Sequence, residues 1–600
     1  DREWTGQISK VEWSFAANRD TGIFAYALRK DVKNPFAPRN DDAQAQADDT
    51  AGKDGKDGKD GKDGKDDKDK EGTGKSSKTV IDHIDFDGME SRLLRAPIEP
   101  TNIGWFAPTE KALLYLETDA DYYGREGATK PRLMSWSFED RKATQVFEGV
   151  ESLGLAPAAD IVLVRTDKGF KRIDLAKAGP ETEPKDVSVD GLSALVDPKA
   201  EYAEIFSEVW RRFRDHFYVR NMHGYDWEAL RAKYQPLLAD VGDRSDLNYL
   251  LGQMVGELAV GHAYVSGGDL GLPPAPHVGL LGARFAPDAA SGRYRIAHIM
   301  PGQNDEERYR SPLTEVGVDV HEGDYVLAIN GQPLTTQENP YRLLRTPADQ
   351  LVQLTVNARP QAEGARTVLV KPIDSEEHLN YFAWTQGNRD YVTRASDGRI
   401  GYLHIPDMGG DGLREFVKWY YPQVHKQGMV IDVRDNGGGN VSAMIIERLS
   451  RKLMGLGYSR GYDLPDTYPG QTFIGHLAAL CNGTTASDGD IFSYMFKQAK
   501  LGPLIGTRTW GGVVGINGWG PLIDGGEVFV PQFATASIDG AYVIEGHGVE
   551  PDIVVEQDVA AQLAGRDPQL DRALSELEAA IAQHPVALPP RPADPVKTPQ

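Results

Sequence analysis

Ser487 stands in Cys481-Asn482-Gly483-Thr484-Thr485-Ala486-Ser487-Asp488-Gly489-Asp490, directly before the apolar helical run Ile491 to Phe496. The N–H of Asp488 is therefore one of the first-turn amides that a helix leaves unbonded, at its positive end. An oxyanion formed when the Ser487 hydroxyl attacks a carbonyl would be stabilised there. A serine in this place is also an ordinary helix cap, and composition alone does not separate the two readings. A second turn, Asp435-Asn436-Gly437-Gly438-Gly439-Asn440, can aim successive backbone N–H groups at an anion and supply a second donor. It lacks the Lys-Ser/Thr ending of a phosphate loop, which argues against nucleotide binding.

A serine hydroxyl is a weak nucleophile near neutral pH and needs a base within hydrogen-bond reach. Thirteen histidines are present. His262, in Gly261-His262-Ala263-Tyr264, follows a predicted helix and has small neighbours that leave its ring accessible. His547, in Glu545-Gly546-His547-Gly548, is the competing base.

The elements that must position these residues read as a multidomain chain. Short strands at period-2 spacing open it, Ile8 to Phe15 and Gly22 to Leu28, and return at Ser91–Leu94, Ile103–Phe106, Ala112–Glu117, Leu133–Ser137 and Asp160–Arg165. This predicts a partial β-propeller over 1–190, about three blades where a closed ring needs at least four. A polar Gly-Lys-Asp tract at about 43–78 reads as a disordered insertion. A helical subdomain is expected over 196–265, with Ile205, Phe206, Val209, Trp210, Phe213 and Phe217 on one face. A second helix there is capped by Ser245 or Asp246 and ends at Gly261.

Residues 272–375 read as a β-rich domain with the pattern of a PDZ domain. Its Gly279-Leu280-Leu281-Gly282 loop would offer N–H groups to a peptide carboxylate, with a plain packing role as the alternative. Over 376–564 strands alternate with helices: Gly401–Ile405, a helix around Leu413 to His425, Met429–Arg434, a helix around Val441 to Leu453, and Leu477–Leu480. This is an α/β layer pattern whose sites form at strand exits. Residues 565–600 start as an amphipathic helix through Leu570, Leu574, Leu577 and Ile581, then end in Pro-rich extended chain that packs on a neighbouring subunit or stays solvated.

Composition narrows the classes. Of 600 residues, 66 are Lys or Arg and 89 Asp or Glu, giving a formal charge of −23, which repels phosphate backbones and anionic lipid. No nucleic acid or membrane partner is expected, and no run of 18 apolar residues exists to span a bilayer. The single cysteine, Cys481, cannot form an intrachain disulfide, and no Cys/His cluster has metal-ligand spacing, so neither metal nor cofactor is expected. The acidic balance and lone thiol fit a cytoplasm, or a periplasm if a signal peptide has been removed.

The chain from about Glu201 to Val559 resembles the C-terminal half of the tricorn protease family, within the serine-peptidase group that also holds the tail-specific proteases. The resemblance lies in Gly261–Tyr264, Val278–Ala283, Asp432–Arg434 with Asn436–Gly439, Ala486–Asp490, Arg508-Thr509-Trp510-Gly511-Gly512 and Gly548-Val549-Glu550-Pro551-Asp552. It implies a crotonase-like α/β peptidase domain with Ser487 as nucleophile, His262 as general base and Glu545 as the acid of the relay. Asp488 with Gly438 or Gly439 would form the oxyanion hole. Glu545 is preferred to Glu550 because its separation from the nucleophile matches the family. The family serine that bridges base and acid is replaced by Gly261. The tail-specific enzymes place a lysine where Gly512 stands, and Lys497 and Lys500 fall on the helix that Ser487 begins, directed away from its start.

The resemblance further implies cleavage of unfolded polypeptides or oligopeptides into short peptides, propellers that filter access, and a homohexamer. Asp463 and Asp466 would favour a basic side chain on charge alone. The rival readings are a catalytically silent scaffold that binds peptides and assembles rings, and acyl-CoA chemistry on the same layer fold.

Overall fold

The computed structural model describes residues 6–8, 15–17, 21–32, 34–36, 83–119, 130–157, 161–175, 183–273, 275–345, 350–461 and 464–598. The expected insertion at 43–78 lies outside them. The chain divides into two compact units, Asp1–Ser193 and Ala194–Gln600.

The first unit is antiparallel throughout. β1 (Gly6–Ile8) pairs with β2 (Phe15–Ala17), and β3 (Phe24–Tyr26) with β4 (Leu93–Arg95). The run Ile8 to Phe15, expected as one strand, supplies instead the inner ends of β1 and β2, and the residues between lie outside the described ones. Two four-stranded meanders follow: β5 (Ile103–Pro108), β6 (Ala112–Glu117), β7 (Arg132–Ser137) and β8 (Ala143–Glu148), then β9 (Ser152–Leu155), β10 (Ile161–Thr166), β11 (Gly169–Asp174) and β12 (Lys185–Val187). Period-2 burial is clear in β10, where Val162 and Val164 are buried while Leu163 and Arg165 face out.

The second unit opens with α1 (Pro198–His216), α2 (Trp227–Tyr234) and α3 (Arg244–Gly256). Asp197 caps α1 by accepting the Lys199 and Ala200 N–H groups, and Ile205, Phe206, Val209, Trp210 and Phe213 are buried, as their helical spacing predicts. α3 corrects the sequence reading at both ends. Its cap is Asp243, whose carboxylate accepts from the N–H groups of Ser245 and Asp246, and it stops at Gly256, so a non-helical turn carries His262. β13 (Tyr264–Ser266) follows.

A small antiparallel sheet comes next, from β14 (Ala283–Asp288), β15 (Arg293–Ile299), β16 (Tyr325–Ile329), β17 (Gln332–Pro333), β18 (Val352–Asn357) and β19 (Arg366–Val370), ordered β14-β15-β16-β18-β19 with β17 on β16. α4 (Glu377–Ala395), not foreseen from the sequence, leads into β20 (Ile400–His404), α5 (Gly410–Tyr420), β21 (Gly428–Asp432), α6 (Ser442–Leu449), β22 (Gly455–Gly457), β23 (Asp466–Tyr468), β24 (His476–Cys481), α7 (Asp488–Gln498), β25 (Leu504–Gly506), β26 (Gly515–Gly518), β27 (Glu527–Phe533), β28 (Ile553–Val554), α8 (Val559–Leu563) and α9 (Pro568–Gln583).

β20, β21, β24, β25 and β28 form one parallel sheet in that order. β20 and β21 are buried along their whole length, the signature of a sheet covered on both faces. One face packs against α5, α6 and α7 through Phe416, Ile445 and Phe492. α9 seals the other, setting Leu570, Ala573, Leu574, Leu577 and Ile581 against Val430, Ala478, Leu480 and Ile505. The C-terminal helix therefore covers its own sheet rather than lying free. A separate sheet, β13-β27-β26, joins the strand after His262 to the segment before Glu545 and packs Val528 and Val530 under α1 and α3.

Candidate active site

The two suspected turns meet at the carboxyl ends of β21 and β24. Asn436, fully buried, fastens them. Its Nδ2 donates to Ile405 O at 2.8 Å, its Oδ1 accepts the Gly438 N–H at 2.9 Å, and its carbonyl accepts the Ala486 N–H at 2.9 Å. Thr485 Oγ1 donates to Val433 O at 2.8 Å. Ser487 follows in a strained conformation, φ 57° and ψ −118°, and its side chain makes no cap bond to the helix it heads. Strain at a non-glycine residue held by its surroundings is a mark of functional sites.

Gly438, at φ +86°, lies so close to this serine that a Cβ on it would be 2.5 Å from Ser487 Cβ and 3.1 Å from Ser487 Oγ. Gly438 and Gly439 are the two candidate glycine donors. The Gly438 N–H is already donated to Asn436. Among the described residues the N–H groups of Gly439 and Asp488 have no acceptor. The Asp488 carboxylate has a separate duty, accepting from the Ser442 N–H at 2.9 Å and the Ser442 hydroxyl at 2.5 Å, which pins α6 beside α7.

His262 is buried, at 8% exposure. Its Nδ1 is hydrogen-bonded to the Tyr264 hydroxyl at 2.9 Å, and its ring leans on Trp510 with centroids 5.1 Å apart. The main-chain N–H of Trp510 in turn donates to Thr485 O at 3.0 Å, two residues before Ser487. Trp510 thus bridges the Ser487 loop, by its main chain, and the His262 ring, by its side chain. Among the described residues no hydrogen bond joins Ser487 Oγ to His262; such contacts commonly tighten only when substrate is bound. Burial holds the His262 pKa below 6.5, against the opposing pull of the Glu545 charge.

Glu545 does not touch the imidazole. Its Oε1 accepts the Gly261 N–H at 2.8 Å, and its Oε2 accepts the N–H groups of Val513 and Val514 at 2.7 and 3.0 Å. Gly261, where the resemblance leads one to expect a serine, is thus linked to Glu545 by its main chain. His547, the competing base, lies 3.7 Å from Glu550, and both side chains are more than half exposed. Lys497 donates to Glu550 O and pairs with Asp552.

Two residues missed in the sequence complete the arrangement. Tyr264 is one; it was in view as part of the Gly-His-Ala-Tyr motif, with nothing to indicate that it turns back onto the ring. Asp490 is the other, fully buried one turn into α7, where its Oδ1 accepts from the Thr509 hydroxyl and from the Gly511 N–H at 2.9 Å. Gly511 O accepts the Gly546 N–H at 2.8 Å, beside Glu545. Burial pushes the Asp490 carboxyl up to about 6, opposed by its hydrogen bonds to Thr509, Gly511 and the Ser487 main chain.

The loop expected to receive a peptide carboxylate closes on its own domain. Gly279 donates to Leu344 O at 2.8 Å and Leu280 to Ile373 O at 2.7 Å. Leu281 is buried, and a Cβ on Gly282 would be 3.1 Å from Leu379 of α4. Two of its four amides are thus already bonded, which favours the packing role. Asp466 lies on β23 beside a cavity of about 340 Å³ that His425, Val586 and Leu588 also line; Asp463 lies outside the described residues.

The parallel sheet with its serine elbow matches the model of peptidase family S41 over residues 399–555. Residues 279–375 match the tricorn protease PDZ domain and 198–256 the tricorn protease C1 domain. The chain belongs to the tricorn protease family. It is 33% identical over 518 residues to tricorn protease homolog 1 of Streptomyces coelicolor, covering 84% of this chain and 48% of that one. To the tricorn protease of Thermoplasma acidophilum it is 32% identical over 514 residues, covering 85% and 47%. A crystal structure of the tricorn protease superposes with a TM-score of 0.80 at 28% identity, over 97% of this chain and 53% of that one. The chain therefore spans about half the length of the relatives it matches.

Proposed function

We propose that this chain is a serine peptidase of tricorn type, cleaving unfolded polypeptides or oligopeptides into short peptides. His262 Nε2 takes the Ser487 proton as Oγ attacks the peptide carbonyl. The oxyanion is held by the Asp488 N–H and by Gly439, the glycine amide left without an acceptor. The proton passes from His262 to the leaving amine, and water then releases the acyl group from Ser487 by the same route in reverse. Glu545 acts on the base through its negative charge and through the main chain of Gly261.

The observation that carries this reading is the strained Ser487 elbow, with the free Asp488 N–H on one side and the glycine turn pressed against it on the other. Neither a ring-forming scaffold nor acyl-CoA chemistry calls for that strain. In this reading the two four-stranded meanders of the first unit are propeller blades that filter access, further blades completing the ring. The small β domain is a fixed wall, and the working assembly is a homohexamer. The acidic composition and the buried lone cysteine support a cytoplasmic setting. Among the described residues no helix is long and apolar enough to cross a membrane.

The test is hydrolysis of fluorogenic tri- and tetrapeptides with basic or aromatic terminal residues by the native chain, Ser487→Ala and His262→Ala. Loss of activity in both variants with unchanged thermal melting supports the assignment. Activity that survives in Ser487→Ala rejects it.

A further inference from the structure

We propose that Tyr264 is the positioning residue for the base, its hydroxyl fixing the Nδ1 side of His262 so that Nε2 is the nitrogen left to face Ser487. The inference rests on the serine-peptidase reading and assigns within it a role that would otherwise fall to the relay acid.

The geometry sets the division of labour. A histidine base works from one nitrogen, and the hydrogen bond made by the other decides which one that is. Here the other nitrogen meets a phenol at 2.9 Å, while both oxygens of Glu545 are occupied by the main-chain N–H groups of Gly261, Val513 and Val514. The tyrosine hydroxyl is both donor and acceptor. With Nδ1 protonated it accepts, which leaves Nε2 unprotonated and able to take the serine proton. When His262 becomes imidazolium, the same Nδ1–H···O bond persists, so the hydroxyl serves both states without rearrangement.

Tyr264 is well placed for this task. It lies two residues after His262 at the start of β13, whose pairing with β27 runs Tyr264 opposite Phe529 and Val265 opposite Val528. A strand fixes the origin of its side chain more firmly than a loop would. Its ring stands 5.7 Å from the imidazole by centroids. Although 40% of its surface is exposed, partial desolvation first, and the Glu545 charge second, raise its pKa, so it stays a neutral phenol over the working range. Glu545 is the charged group that bears on the imidazole from the packed segments; the 508–512 segment presents the uncharged Trp510 ring.

The experiment is covalent labelling of the full chain by a fluorophosphonate. Ser487 Oγ forms a bond to phosphorus, fluoride leaves, and the serine proton passes to His262. The labelling rate as a function of pH therefore reads the base directly. Tyr264→Phe keeps the ring and removes the hydroxyl. The expected result is a maximal labelling rate about tenfold or more lower, an unchanged half-saturating probe concentration, and an acid limb moved to lower pH, because the imidazolium loses its Nδ1 acceptor.

A purely structural role would lower the melting temperature without moving the limb, and that outcome overturns the proposal. So does a Tyr264→Phe profile that overlies the native one while His262→Ala is dead; the peptidase reading then stands. Full labelling in His262→Ala, or none in the native chain at any pH, overturns the peptidase reading and this inference with it.

Discussion

Glu545 reaches the histidine segment through the backbone: its Oε1 accepts the Gly261 N–H at 2.8 Å, while the His262 ring is held by Tyr264. Glu545 therefore holds the turn on which His262 rides, and in the proposed mechanism that is how it would orient the base. Gly512 closes the same turn from the far side, its Cα 2.6 Å from where a Cβ on Gly261 would sit.

That contact makes Gly261→Ser a damaging change in this chain, although the family pattern carries a serine here. The new Cβ meets main chain, and Gly512 cannot retreat freely because Val513 and Val514 beside it are bound to Glu545. Overpacking of this kind costs about 1–3 kcal/mol. The expected outcome is a lower melting temperature together with peptidase activity reduced about tenfold or more. A variant with native stability and higher activity would mean that the turn adapts and that the serine relay can be rebuilt.

Ser487 and Gly438 give a sharper case. Gly438→Ala would set a methyl 2.5 Å from Ser487 Cβ, at a φ of +86° that alanine resists. The clash falls on Ser487 itself, the proposed nucleophile, and the parallel sheet beneath does not depend on it. Peptide hydrolysis should fall by about a hundredfold or more, the range seen when an oxyanion site is disturbed, with circular dichroism unchanged. Native rates in Gly438→Ala would show that the glycine turn does not form the oxyanion site.

Part of this candidate site was legible in the sequence because its logic is local. A strand exit, a small-residue turn and a helix start draw attention to Ser487 and the Gly438–Gly439 turn, but the residues alone left Ser487 equally readable as a helix cap, and the family resemblance singled it out. α1 was legible for the same reason, through the 3.6-residue spacing of Ile205, Val209 and Phe213. What the sequence hid depends on partners far along the chain. α4 carries the buried Arg389, whose guanidinium lies 3.6 Å over the Trp419 ring, so its inward face does not read as apolar. Asp490 looks like an ordinary first-turn acid until Thr509 and Gly511 arrive. The spent amides of Gly279 and Leu280 appear only when Leu344 and Ile373 fold back over them. β8, β11 and β12 carry too many polar residues for hydrophobic alternation to expose them.

The pH dependence of turnover follows from His262. Burial lowers its pKa and Glu545 raises it, burial being the larger effect. The base is active when neutral, so kcat/KM rises with pH through a midpoint below 6.5. Glu545→Gln removes the charge that favours imidazolium and keeps one oxygen as an acceptor, so its acid limb should move to still lower pH. A limb that moves to higher pH in Glu545→Gln would mean that Glu545 bears on His262 through something other than its charge.

Asp490 offers a test that requires no substrate. Burial pushes its folded carboxyl up to about 6 from an ordinary value of 3.8. A carboxyl with a raised folded pKa binds protons more tightly in the native state, so it favours folding at low pH. That advantage is lost as pH rises from about 4 to about 6, and above this range the buried charge is a full penalty. Asp490→Asn keeps an oxygen to accept from Thr509 and Gly511 and can carry no charge. Its melting temperature relative to the native chain should therefore climb between pH 4 and pH 7 and then level off. If the difference stays flat across that range, Asp490 is not the titrating group. If only hydrolysis falls, at every pH alike, then the carboxylate at Asp490 matters for holding the Thr509–Gly511 segment against the Ser487 helix and not for its proton.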